Sequence, residues 1–493
     1  MLGCEMKPFA MYLVAVLYSL SLPAQDWPQR GGSSGHNPVV ANLQFRAKTR
    51  QGKPDVPLTR WIAQLGSKCT GEPVISNGLV WVGTNNDRPR DAGQTNDASV
   101  LMCFRESDGQ FLYQYVSPRL PSESSRLYDW PEASLASSPL VEGNRLWFCT
   151  NRCEVVCLDI SALLDGTGPP SVQWKYDMFR ELGVRPRAIM FGSHSSHSSV
   201  IGYRDFIYVN TTNGHGVDSV SVPEAPALIC LTKSDGTLQW RDNSSGNDFI
   251  YIQHGNPTLI EIDGHAQIVM GQADGCVRSF DALTGALLWK FDINLNNPSK
   301  HVFPCEPYYS VAMPVFHNRR LYVAGGPEGE GNNKDSTLFC LDPTRRGDIS
   351  EELLNEDKST RPNPNSGVVW KFLGHGTSIK DRMHATLSNV VVHNGLVIVP
   401  DGEGFVHCLE EATGAWLWTH DCWSGVVGAP LIIGDRVYIG GEDGHLTVLK
   451  LARELQLIEV LSLGNSSVEC APTFANGTLF VATRRELFAI EGE

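Results

Sequence analysis

Between Ala429 and Leu449 the chain reads as short apolar runs broken by turn residues: Leu431-Ile432-Ile433, the pair Gly434-Asp435, Val437-Tyr438-Ile439, the pair Asp443-Gly444, then Leu446 to Leu449. Runs this short, bounded by Gly, Asp and Pro, predict β-strands joined by tight turns. An Asp-Gly pair suits a two-residue hairpin in which both turn residues take positive φ. The pair recurs at Asp274-Gly275 and, one step looser, at Asp401-Gly402. A fourth strand is predicted after a Thr-Gly turn, in Glu410-Glu-Ala-Thr-Gly-Ala-Trp-Leu-Trp418 and its counterpart Asp281-Ala-Leu-Thr-Gly-Ala-Leu-Leu-Trp289.

Aligned on the Pro that opens the first strand, or its equivalent, the units begin near Pro73, Pro139, Val200, Pro257, Pro314, Val390, Pro430 and Pro472. The shortest spacing, about forty residues, is that of a four-stranded propeller blade, and longer spacings then contain insertions. The last unit, Pro472 to Glu493, has room for three strands, and Leu58-Thr-Arg-Trp61-Ile-Ala-Gln-Leu65 supplies the fourth with its Trp. The expected fold is all-β: an eight-bladed β-propeller of four-stranded antiparallel blades, its last blade closed by an N-terminal strand. Such closure removes free sheet edges. The expected organisation is a signal peptide at 1–24, a lead segment at 25–57 and a single propeller domain at 58–493.

Registering the units separates packing positions from chemistry. Trp61, Trp174, Trp240, Trp289, Trp370 and Trp418, with Tyr113 as a substitute, share one outer-strand position, which the seventh unit lacks. A large ring repeated there reads as docking between blades. Cys103, Cys157, Cys230, Cys340 and Cys408 share one third-strand slot, filled elsewhere by Ser279, Val448 and Ala489, so they read as small buried apolar groups. Cys149, Cys153 and Cys157 have the spacing of a metal cluster on paper, but two of them fall on core slots. Cys69 and Cys470 precede the first strands of neighbouring blades, which leaves a disulfide open.

With 493 residues, 47 Gly and 29 Pro, the chain can bury a large core and make many turns. Its formal charge of −14 argues against a nucleic-acid partner. Lys7 followed by the apolar run Phe9 to Leu22 and by Ala24 reads as an export signal, too short for a membrane-spanning helix. A protein exported to the periplasm or beyond, soluble after cleavage, is expected.

The Asp/Glu-x-x-Thr-Gly-x-x-x-Trp word, set in units of this kind over residues 58–493, resembles the β-propeller repeats named after pyrroloquinoline quinone (PQQ). Such repeats occur in quinoprotein alcohol dehydrogenases and in cofactor-free relatives such as the propeller lipoprotein of the outer-membrane β-barrel assembly machinery. The opening Asp26-Trp-Pro-Gln-Arg-Gly31, with Asn363-Pro-Asn-Ser-Gly-Val-Val-Trp370, resembles exported propellers common in planctomycete-type bacteria. The alcohol-oxidising quinoproteins typically carry a vicinal Cys pair over the cofactor; this chain has no Cys-Cys and no Cys-x-x-Cys-His. The resemblance therefore implies the fold and a cofactor-free binding or assembly module for a protein, small-molecule or glycan ligand. The alternative is a periplasmic dehydrogenase using PQQ and calcium on alcohols or sugars.

Propeller topology gathers the second-to-third turns and the links between blades on one face. Expanded turns at 84–98, 210–226 and 325–336 and long links at 117–134, 178–196 and 292–309 mark that face as the one to search. His197, His254 and Glu469 fall three residues before the first-strand position, at the channel mouth, and His384 enters the sixth blade slightly earlier. His197 and His254 with Glu469 have the ligand types of a divalent-metal or proton-transfer site, although paired groups in a polar channel fit the same positions. Arg180, Arg185, Arg187 and Arg382 lie in the same loops as anion candidates. Trp130, Trp423 and Tyr308 in the links leave room for glycan binding. Oligomeric state is not legible.

Overall fold

The structure, a computed structural model, describes residues 25–119, 134–184, 198–211, 222, 224–246, 255–272, 274–293, 312–326, 335–357 and 359–493. Eight antiparallel sheets of four core strands follow one another along the chain, each running from an inner first strand to an outer fourth. The last blade is composite: Thr473–Ala475, Thr478–Ala482 and Glu486–Glu491 are completed by Thr59–Gln64 from the other end of the chain. Blades 4 and 7 gain a fifth strand each, Gly347–Asp348 parallel to Leu287–Asp292 and Val39–Val40 parallel to Leu431–Ile433.

One register repeats in every blade. The third-strand slot lies directly opposite the outer-strand ring: Cys103 faces Tyr113, Cys157 faces Trp174, Cys230 faces Trp240, Ser279 faces Trp289, Cys340 faces Trp370, Cys408 faces Trp418 and Ala489 faces Trp61. In blade 7 Val448 faces Glu459, the position without a ring. A small residue is needed where a large indole lies across the strand pair. Each blade breaks register immediately after this pair, a bulge that turns the outer strand toward its neighbour.

Those indoles join consecutive blades. The Trp61 Nε1–H donates to Glu106 O at 2.8 Å, Trp174 to Lys233 O at 3.1 Å, Trp240 to Ala282 O at 3.1 Å, Trp370 to Glu411 O at 2.9 Å and Trp418 to Ala452 O at 2.9 Å. Every acceptor lies at the third-to-fourth turn of the next blade. The glycine of that turn lies under the ring: at Gly285, φ +73°, a Cβ would sit 2.7 Å from Trp240 Cδ2, and at Gly414, φ +71°, 2.5 Å from Trp370 Cε3. The Thr-Gly word is thus the receiving surface for the preceding blade's Trp.

Two features differ from the sequence expectation. The Asp443-Gly444 turn is not a pair of positive-φ residues, because Gly444 alone is left-handed while the Asp443 carboxylate accepts the His445 N–H at 3.1 Å. Doubly positive turns occur instead between first and second strands, at Asn77-Gly78, Asp263-Gly264, Asn394-Gly395 and Asn476-Gly477. Blade 5 also inserts between its third and fourth strands, where Glu352–Leu354 pairs with Thr360–Pro362 and Asn363 Nδ2 donates to Asp348 O and Ser350 O.

The lead segment runs along the inner edges of the blades. Ile75 N–H donates to Trp27 O (2.9 Å), Val141 to Pro28 O (2.9 Å), Leu259 to Ser34 O (3.0 Å), Phe316 to Gly35 O (3.0 Å) and Ile432 to Pro38 O (3.0 Å). In blade 6 the Asn37 side chain substitutes for backbone: its Oδ1 accepts Val392 N–H at 2.9 Å and its Nδ2 donates to Val392 O at 2.8 Å. All six positions lie two residues into their first strands. In these six blades inner-edge groups are satisfied by the strap, which leaves by Phe45, packed edge-on to Phe474 at 5.1 Å.

Candidate functional site

The strap lies toward the first-to-second turns, since Gln25 O accepts Asn476 N–H and Asp26 Oδ2 accepts Asn77 N–H. The opposite face carries the second-to-third turns and the blade links. Between blades 6 and 7 the link 422–429 is tied to both: Cys422 N–H donates to Gly404 O at 3.0 Å and Glu442 N–H to Gly425 O at 3.0 Å. Gly404 must lack a Cβ there, because one would lie 2.2 Å from Ser424 O.

Trp423 stands on that link, 88% exposed, with φ at 58°. Its N–H donates to Asp421 Oδ1 at 2.7 Å, and the next residue's Ser424 Oγ accepts Asp443 N–H at 3.0 Å. A bulky side chain in the left-handed region is strained, so the surrounding hydrogen bonds hold the backbone in place. The result is an indole held out to solvent on a braced loop.

Beneath the same face, in blade 6, a carboxylate lies between two imidazoles. Asp401 Oδ2 accepts from the His384 backbone N–H at 3.2 Å and contacts His384 Nδ1 at 2.7 Å, with His407 Nε2 at 3.5 Å. All three side chains are sealed from solvent, and Asp401 Oδ1 also accepts Phe405 N–H at 3.0 Å. Burial pushes the Asp401 carboxyl up, but the hydrogen bonds and charges of His384 and His407 outweigh it and hold the group below its usual range. His407 Nδ1 is satisfied by Thr419 Oγ1 at 2.9 Å, while the buried His384 Nε2 has no hydrogen-bond partner among the described residues. The cluster pins the second-to-third turn of blade 6. Nearby, His375 stacks on the half-exposed Trp416 at 3.7 Å and lies 3.2 Å from Asp381.

Of the expected site residues, Glu469, His384, Arg180 and Arg382 are among those described, and they are spread over different blades or links. His197, His254, Arg185, Arg187, Trp130 and Tyr308 lie outside the described residues. Glu469 is engaged by Arg484 at 2.5 Å in blade 8, and Thr70, at the equivalent position in blade 1, meets Ser134 Oγ at 2.9 Å. Arg382 pairs with Asp335 at 2.9 Å, whereas Arg180 is mostly exposed and lies 3.5 Å from Asp177. Cys149 is buried beside Cys153, and burial raises its thiol far above the ordinary range. Among the described residues no group of three His, Cys, Asp or Glu has the geometry to hold a metal ion. Sequence reading placed His384 but missed its partners. The available signal was His407, a polar residue at an inward position of the apolar strand Phe405–Glu410.

On the strap side a groove of about 630 Å³ is lined by Asn318, Arg320, Trp370, Glu411, Leu451 and Arg453. Within it Arg453 pairs with Glu410 at 2.9 Å, and Asn318 Nδ2 donates to Glu411 Oε1 at 3.0 Å.

Residues 360–457 match the PQQ_2 family, described as outer membrane protein assembly factor BamB. Among curated proteins, the tetrathionate hydrolase of Acidithiobacillus ferrooxidans is 24% identical over 50% of this chain and 42% of its own length. The outer membrane protein assembly factor BamB of Shewanella oneidensis is 20% identical over 46% of this chain and 67% of its own length. The chain thus spans less than half of the first of these relatives. Among solved structures, BamB from Moraxella catarrhalis superposes with a TM-score of 0.56 and 13% identity over 88% of this chain and 99% of its own. The quinohemoprotein alcohol dehydrogenase from Comamonas testosteroni gives 0.58 and 11% over 94% and 80%. At such identities the structural likeness establishes the fold, a propeller of PQQ-like repeats.

Proposed function

We propose that this protein is an exported, cofactor-free binding module that holds a protein partner against its loop-rich face, in the manner of an assembly factor. Trp423 carries this reading: an indole this exposed forfeits burial that the fold could otherwise use, and a braced backbone presents it with little ordering cost on binding. Aromatic anchors of this kind supply much of the energy of protein interfaces. Supporting it, the chain shares its fold with a relative named as an outer membrane assembly factor. The sealed His384–Asp401–His407 cluster then serves to hold the turn beside that link rather than to meet substrate.

The test is affinity capture from the cell envelope, comparing the full chain with Trp423→Ala. Loss of the indole weakens retention of the partner by about thirtyfold or more, while the melting temperature moves by no more than about 1 °C. Retention unchanged by Trp423→Ala contradicts the assignment of the face. Saturable spectral binding of PQQ with Ca²⁺, together with dye reduction by an alcohol or sugar, would replace the reading with a quinoprotein dehydrogenase. Selective binding on a glycan array would make the ligand a polysaccharide.

A further inference from the structure

The seam of the ring, where Thr59–Gln64 closes blade 8 and the chain continues into blade 1, differs chemically from the other blade junctions. Elsewhere the entries to neighbouring first strands are joined by hydroxyls and backbone: Ser137 Oγ donates to Ser198 O at 2.7 Å, and Ser388 Oγ to Gly428 O at 2.9 Å. Cys470 holds the place equivalent to Ser137, Ser388 and Gly428, three residues before its first strand. It is 2% exposed, and the fully buried Cys69, in the link leaving the closing strand, belongs to the same apolar cluster. Each thiol also points at a carbonyl of its own blade, Cys470 at Ala482 O (3.5 Å) and Cys69 at Gly71 O (3.7 Å). Both are free thiols in the structure, and the Cys69 side chain neighbours Cys470 within that cluster.

From this placement we infer that Cys69 and Cys470 form an inter-blade disulfide that locks the composite blade shut. The oxidant is a disulfide compound. The thiolate of one cysteine attacks it, forming a mixed disulfide and releasing one thiol. The second cysteine then attacks the protein-bound sulfur and releases the other, so two protons and two electrons pass from the protein to the oxidant. The Cys69 thiol, burial and the neighbouring Glu72 and Glu469 carboxylates push the Cys470 thiol well up, and in the closed ring both sulfurs are sealed from an external oxidant. Oxidation therefore proceeds while the seam is open, during folding. The bond ties the chain's first blade link to its last blade, closing nearly the whole ring covalently.

The test is refolding of the full chain with glutathione disulfide, followed by denaturing alkylation and peptide mapping. The expected result is a peptide pair joined through Cys69 and Cys470, lighter than the reduced pair by two hydrogens, and a melting temperature that falls by about 5 °C on reduction. Cys470→Ser removes both the linked pair and the dependence on reductant. Recovery of both wild-type peptides alkylated and unlinked, or linked to other cysteines, overturns the inference whether or not the variant folds.

Discussion

At the scale of single residues, the recurrent acidic, Thr-Gly and Trp word acquires a physical meaning that spacing alone does not supply. Alignment shows that a Trp recurs and that Cys, Ser, Val or Ala recurs on the third strand; the structure shows that the two face each other across one strand pair. The role of the glycine is not legible in the sequence, because the ring that excludes a Cβ belongs to the preceding blade. Gly285 and Gly52 separate the contributions. Both have strongly positive φ, at 73° and 76°, but a Cβ at Gly285 meets Trp240 at 2.7 Å, whereas Gly52 has nothing within 4 Å. Gly52→Ala should lose about 1 kcal/mol from the left-handed backbone alone, and Gly285→Ala about 3 kcal/mol as the indole is displaced as well. Urea unfolding midpoints of the two variants check this, and equal losses would remove the ring contact from the explanation.

Among the elements, strands were legible and the strap was not. Apolar alternation marks the blades because side chains carry their burial, so eight units and the composite closure follow from the chain itself. The strap joins the blades chiefly through its own carbonyls, which leave no trace in residue type; Asp26, Arg30, His36 and Asn37 are among the side chains that take part. His36 shows how closely this element is held. It is buried, its Nε2 lies 2.9 Å from Pro257 O, and burial with the Arg30 charge lowers its pKa from 6.5 to about 4. Arg30 itself sits 3.1 Å from Glu72, whose other oxygen accepts Gly31 N–H. The folded protein keeps His36 neutral while the unfolded chain protonates it, so its contribution is complete above pH 6.5 and is lost as pH falls toward about 4. That change amounts to about 3 kcal/mol. In His36→Gln the stability profile should flatten across this window; an unchanged slope would place the acid sensitivity elsewhere.

For the whole molecule, the two faces of the ring differ in what they have left to offer. One is occupied by the chain's own lead segment, which bonds to the inner strands of six blades, and its groove holds the Arg453–Glu410 pair. The other presents links and turns braced around Trp423. The sequence reaches that face and names Trp423 only as one of three link aromatics, for a physical reason: loop insertions are visible as added length, whereas the orientation of one indole depends on Asp421, Gly404 and Asp443 from two blades. The channel-mouth expectation ranked histidines by position; of those described, His384 is turned into blade 6 against Asp401. The central claim is that a partner docks on the loop-rich face. Hydroxyl-radical footprinting of the full chain, free and bound to its captured partner, tests this most directly. The account predicts protection of Trp423 and the link 421–429, with Asn394, Gly395 and Arg453 on the strap side unchanged; protection confined to those strap-side residues, with Trp423 still fully reactive, would contradict it.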